Sequence, residues 1–111
     1  MNTQSPYGLE VLARLVATIH ERRSASPDKS YTAQLIARGV PVCAKKLGEE
    51  AVEVAIAAVS GDRKSLTAEA ADLLFHLVVL LEAADLPLPD VMAELARREG
   101  VSGIVEKAGR S

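Results

Sequence analysis

Two Ala-, Leu- and Val-rich stretches, KKLGEEAVEVAIAAV and TAEAADLLFHLVVLLEAAD, lie on either side of Ser60-Gly61-Asp62 and constrain this chain more than any other feature. Pro41 can open the first stretch as a helix, Asp62 can cap the second, and Pro87 and Pro89 end it. Two long helices joined by a three-residue break pack antiparallel, as an αα-hairpin. Aromatic residues make up only 3% of the chain and Trp is absent, so Leu, Val, Ile and Ala must build the core. Where Ala and Leu dominate, helix is the favoured state. The expected fold class is therefore all-α, a helical bundle around a central antiparallel long-helix pair. A chain of 111 residues has room for one domain, with a helical core over 6–99 and a tail over 100–111.

The flanking segments complete the bundle. Ser5-Pro6 reads as a cap with proline at the first helical position, and Leu9, Leu12, Val16 and Ile19 recur at helical spacing, which predicts a helix over 6–22. ERRSASPDKS is a loop, Ser30 and Gly39 bracket a short helix over 31–38, and a last helix runs from about Pro89 to Glu99. The segment LLFHLVVLL at 73–81 is apolar on nearly every side, which a helix with one covered face cannot satisfy. It belongs at the centre of a bundle or in a dimer interface.

Charge and cysteine content exclude several classes. Thirteen basic against fifteen acidic residues leave a net charge of -2, with no global field for nucleic acid or an anionic membrane. The single Cys43 cannot form an intrachain disulfide, and no Cys/His spacing points to zinc, so a reducing, cytoplasmic setting is expected. The N-terminus lacks the charged and apolar segments of a signal peptide, and LLFHLVVLL is about half the length that spans a bilayer. A soluble protein with no membrane partner is expected.

Any electrostatic function must then be local, and the carboxylates supply it. Helical residues three or four apart share a face, with Cβ atoms about 5–6 Å apart. Glu50 and Glu53 therefore project side by side with Glu49 one position round, and Glu69 and Asp72 repeat the spacing on the next helix. Glu53 lies seven residues before Ser60 and Glu69 seven after Asp62, so antiparallel pairing sets the two pairs at nearly the same height. Each like-charge pair at 4 Å costs about 4 kcal/mol at an effective dielectric near 20. A divalent cation removes that cost, and oxygen ligands without His or Cys indicate a hard ion, Mg²⁺ or Mn²⁺. Lys45 and Lys46, one turn earlier, can meet phosphate oxygens that the metal leaves uncovered. The plainer reading makes these glutamates a solvated face paired with lysines at spacing of four. A di-iron bundle would need Glu-x-x-His motifs, which are absent.

Glu49-Glu50-x-x-Glu53 followed by Glu69-x-x-Asp72 resembles the EExxE and ExxD signature of the all-alpha NTP pyrophosphatase superfamily. SYTAQLIARG at 30–39, KKLGEEAVEVAIAA at 45–58 and EAADLLFHLVVLL at 69–81 resemble more narrowly the phosphoribosyl-ATP pyrophosphohydrolases of histidine biosynthesis, over about residues 6–107. That resemblance implies Mg²⁺-dependent hydrolysis of phosphoribosyl-ATP to phosphoribosyl-AMP and pyrophosphate by a homodimer, with each active site completed near a subunit boundary. It also implies Glu50, Glu53, Glu69 and Asp72 as metal ligands, with Glu49 either supporting them or acting as the base that orients water. The residues agree with such chemistry: there is no Ser/His/Asp or Cys/His nucleophile arrangement and no GxxxxGK[ST] phosphate loop.

Other positions keep two readings. Ser30, Tyr31 and Thr32 form a helix cap or a substrate-contacting edge, with Thr32 the candidate contact. His76 is a core residue or a partner for a ligand carboxylate, and Gly48 admits a phosphate or a close neighbouring helix. The rival functions are a related enzyme that clears other nucleoside triphosphates and a non-catalytic helical interaction module.

Overall fold

The computed structural model describes residues 6–101 and 103–110, and these form six helices without a strand. In chain order they are α1 (Glu10–Arg22), α2 (Tyr31–Arg38), α3 (Val40–Ser60), α4 (Arg63–Ala83), α5 (Leu88–Arg97) and α6 (Gly103–Arg110). The fold class is all-α, as the composition requires. No helix among the described residues is long and apolar enough to cross a membrane.

Local chemistry sets most boundaries where the sequence predicts them. The Ser30 hydroxyl accepts the Ala33 N–H at 3.1 Å and starts α2. Gly39, at φ 94°, separates α2 from α3, and Pro41 sits in the first turn of α3. Gly61, at φ 76°, ends α3 in the left-handed region, and Asp62 then accepts the N–H groups of Lys64 at 3.0 Å and Ser65 at 3.1 Å to open α4. Those bonds hold the Asp62 carboxyl below its ordinary range.

Two boundaries differ. The first helix starts at Glu10 rather than residue 6: Leu9 precedes it, and the Gly8 N–H donates back to the Glu10 carboxylate at 3.0 Å, so the sequence around the glycine forms a turn. The expected cap at Ser5 lies outside the described residues. At its other end, α4 stops at Ala83, before the prolines. The Leu86 N–H donates to the Leu81 carbonyl at 2.9 Å and the Asp85 N–H to the Glu82 carbonyl at 3.1 Å, which is a Schellman closure with Asp85 at φ 57° in the place glycine usually takes. The signal is hidden because an aspartate stands there. A hydrogen-bonded helix also occupies Gly103–Arg110, within the stretch read as tail.

The core is small. Ile19 from α1, Leu35 from α2, Cys43 from α3, and Val78 and Val79 from α4 form its buried centre, with Leu12, Leu15, Val16 and Phe75 packed around them. The 73–81 segment is thus mainly core, although Leu74 is 45% exposed. Cys43 donates its thiol to the Leu35 carbonyl at 3.3 Å, and burial raises its pKa. The most extensive helix contact joins α3 to α4, while α1 and α2 cover part of α4. Arg23, just past α1, locks that cover down: its guanidinium reaches the Glu82 carboxylate at 3.0 Å, the Glu82 carbonyl at 2.8 Å and Asp85 at 2.7 Å, and His20 meets Glu82 at 2.9 Å.

Candidate functional site

α3 presents Lys45, Lys46, Glu49, Glu50 and Glu53, and α4 presents Glu69, Asp72 and, one turn further, His76. The close packing of α3 on α4 turns the two spaced-by-three pairs toward each other. One carboxylate oxygen from each of Glu50, Glu69 and Asp72 lies within 4.8 Å of the other two. Glu53 stands outside that trio but close enough for the Glu69 charge to be the main influence on it. It borders a hollow of about 260 Å³ lined by Glu53, Ile56, Ala57, Ser60, Ser65 and Glu69. Ser60 reads in the sequence only as part of the break at 60–62, and Ser65 carries no signal there. Helical spacing brings them here, seven after Glu53 and four before Glu69.

The electrostatics are those of a site short of positive charge. Burial, then the charges of Glu53 and Asp72, push the Glu50 carboxyl up. Glu53 is raised by the Glu69 charge and then by burial, and Glu69 by burial and then by Glu50. Glu50 Oε2 is buried without a hydrogen-bond partner, which is costly for an acceptor unless a donor or cation meets it. An oxygen-only donor set with one orphaned oxygen fits a hard divalent cation.

The remaining candidates frame the trio. Lys46 is half-buried with Nζ 3.9 Å from Glu49 Oε1, and Lys45 is exposed. Glu49 is about half exposed. Gly48 faces open space, since a Cβ there would meet nothing within 4 Å, so the close neighbouring helix is not found in the protomer. Thr32 is 8% exposed, whereas Tyr31 beside it is 52% exposed. His76 is 7% exposed and Nδ1 has no partner. Burial, the largest influence on the ring, lowers its pKa, although the Asp72 charge acts in the opposite sense.

An all-helical chain whose two longest helices bring carboxylates to a common point defines an all-α protein with an acidic, cation-ready site. Comparison with known proteins narrows that class. Residues 12–99 match the family model described as phosphoribosyl-ATP pyrophosphohydrolase. A phosphoribosyl-ATP pyrophosphatase of Novosphingobium aromaticivorans is 62% identical over 92% of this chain and 95% of its own length. Proteins of the same name from Cereibacter sphaeroides and Dinoroseobacter shibae are each 61% identical over 92% of this chain, covering 99% and 100% of their own lengths. The chain belongs to the phosphoribosyl-ATP pyrophosphohydrolase family.

Proposed function

We propose that this chain hydrolyses phosphoribosyl-ATP to phosphoribosyl-AMP and pyrophosphate in histidine biosynthesis, in the cytoplasm, with Mg²⁺ as its cofactor and Mn²⁺ as a possible substitute. The observation that carries this reading is the convergence of Glu50, Glu69 and Asp72 within 4.8 Å, with a buried orphan oxygen on Glu50, in a member of this family. Glu50, Glu53, Glu69 and Asp72 would hold the metal, with α3 and α4 running antiparallel so that the two acidic pairs face each other. When bound, Mg²⁺ supplies the positive charge that phosphoryl and leaving-group oxygens need in the transition state. Glu49, half exposed and one position round from Glu50, orients the attacking water or supports the ligands. Lys45 and Lys46 meet phosphate oxygens on the same flank. Water adds to phosphorus as the anhydride P–O bond breaks, so the site needs no covalent nucleophile.

The active form in this reading is a homodimer. The chain exposes 7980 Å², against about 5900 Å² for a compact monomer of 11.8 kDa. Val52, Ile56 and Val59 form an exposed apolar stripe on α3. At 100° per residue that stripe runs beside Glu49, so a partner packed on it comes up to the rim of the site. The deciding experiment measures pyrophosphate release with Mg²⁺ from phosphoribosyl-ATP, ATP, dUTP and dCTP, with a chelator control. Fast, chelator-sensitive release from phosphoribosyl-ATP alone is expected. Release from the plain triphosphates instead would reassign the substrate, and silence on all four would favour an interaction module.

A further inference from the structure

The chain has very few rings, and three of them meet at one place beside the acidic site. Tyr31 at the start of α2 lies parallel to Phe75, with ring centroids 6.4 Å apart and planes 12° from parallel. His76 meets both edge-on, at 6.5 Å from Tyr31 and 5.1 Å from Phe75. Phe75 is half-buried and His76 buried, but Tyr31 remains 52% exposed. An exposed ring whose inner side is already braced by a parallel ring offers an outer face in a fixed plane, and offset stacking works at centroid separations of 4.5–7 Å. His76 is one helical turn, about 5.4 Å, beyond Asp72. With a further 6.5 Å from His76 to Tyr31, that ring lies on the order of 10 Å from the carboxylates along this line, so a nucleotide whose phosphates sit at the carboxylates can turn its base toward it.

The geometry points to Tyr31 as the stacking platform for the purine ring of the substrate, with Phe75 and His76 holding its plane. This inference rests on the reading of the chain as a phosphoribosyl-ATP pyrophosphohydrolase, and it gives that substrate a direction: phosphates at Glu50, Glu69 and Asp72, base toward the start of α2. The hollow beside Glu53 and Ser65 then lies on the opposite side of the metal ligands from the base. Stacking is indifferent to the hydrogen-bonding edge of the base, so the platform contributes affinity for a purine nucleotide, while the phosphates and their metal carry the chemistry.

Two measurements test it. In steady-state kinetics with phosphoribosyl-ATP, Tyr31→Phe keeps the ring and is expected to keep KM, whereas Tyr31→Leu keeps apolar bulk on Phe75 but loses the π face. The Leu variant should raise KM on the order of 10-fold with a much smaller change in kcat. An unchanged KM in Tyr31→Leu overturns the platform while leaving the hydrolase reading untouched, whereas an inactive wild type overturns that reading first. The second measurement needs no turnover and no metal. The chain has no Trp and two Tyr, so in a Tyr7→Phe variant tyrosine fluorescence comes from Tyr31 alone. Titration with adenosine, which carries no phosphate to be repelled by the metal-free carboxylates, should quench that emission saturably in the presence of chelator, and ribose should not. Quenching by neither, or equally by both, overturns the assignment even if the Leu variant does not fold.

Discussion

Glu50 concentrates the argument at the scale of the residue, because its carboxyl is raised by burial and by Glu53 and Asp72 while one oxygen has no partner. Glu50→Gln and Asp72→Asn should each abolish pyrophosphate release yet leave the melting temperature equal or higher, since both relieve like-charge repulsion. A variant of either kind with a near-normal rate would remove that residue from the set of ligands. Gly48 is the complementary case. It lies inside α3 with open space where a side chain would go, so Gly48→Ala should stabilise the protein by about 1 kcal/mol through helix propensity alone. Thermal unfolding in the absence of metal checks it. Adding Mn²⁺ to the wild type should raise the melting temperature with the logarithm of its excess over Kd, a stabilisation of about 2.7 kcal/mol at a hundredfold excess. That rise should vanish in Asp72→Asn.

At the scale of the element, the helices depend on their ends. Ser30→Ala removes a buried cap and should cost about 1 kcal/mol, seen as a lower midpoint in urea with an unchanged slope. The closure of α4 carries a pH dependence. Burial, the largest influence on Glu82, would raise its carboxyl, but the hydrogen bonds from Arg23 and His20 outweigh it and hold the group below its ordinary value. A carboxyl lowered on folding stabilises the native state above its unfolded pKa, and the contribution is lost as pH falls through the folded pKa. Melting temperature should therefore drop on acidification below the usual carboxylate range, and Glu82→Gln should flatten that part of the profile. An equally steep acid limb in the variant would place the effect elsewhere.

At the scale of the whole molecule, the radius of gyration is 16.2 Å, while a compact chain of this length has about 13 Å. Few side chains are fully buried, and apolar residues of α3 and α5, among them Ile56 at 60% and Leu95 at 52%, stay in the open. On the dimeric reading proposed above, a second copy would finish that burial. Sedimentation should report a dimer, and Ile56→Glu should shift it to monomer and lower the rate together. A monomeric wild type with full activity would refute the dimer reading.

The all-helical class was legible in the sequence because Ala and Leu dominate where aromatics are scarce, and the breaks at Gly39 and at Gly61-Asp62 are local backbone chemistry that no distant contact overrides. The acidic pairs were legible for the same reason: spacing of three on a helix is a local geometric fact. What the sequence could not show was decided by packing. The close seating of α3 on α4 selects Glu50, Glu69 and Asp72 as the trio and places Glu53 beside the hollow, while the packing of α2 on the pair turns Thr32 inward and leaves Tyr31 facing out on Phe75 and His76. The Schellman turn at Asp85 belongs to the same group, since its left-handed aspartate sits where Arg23 from the far end of α1 holds it at 2.7 Å. Rotation of one helix about its axis relative to another is set by contacts between residues distant in the chain, and a pattern read along one helix carries no record of it.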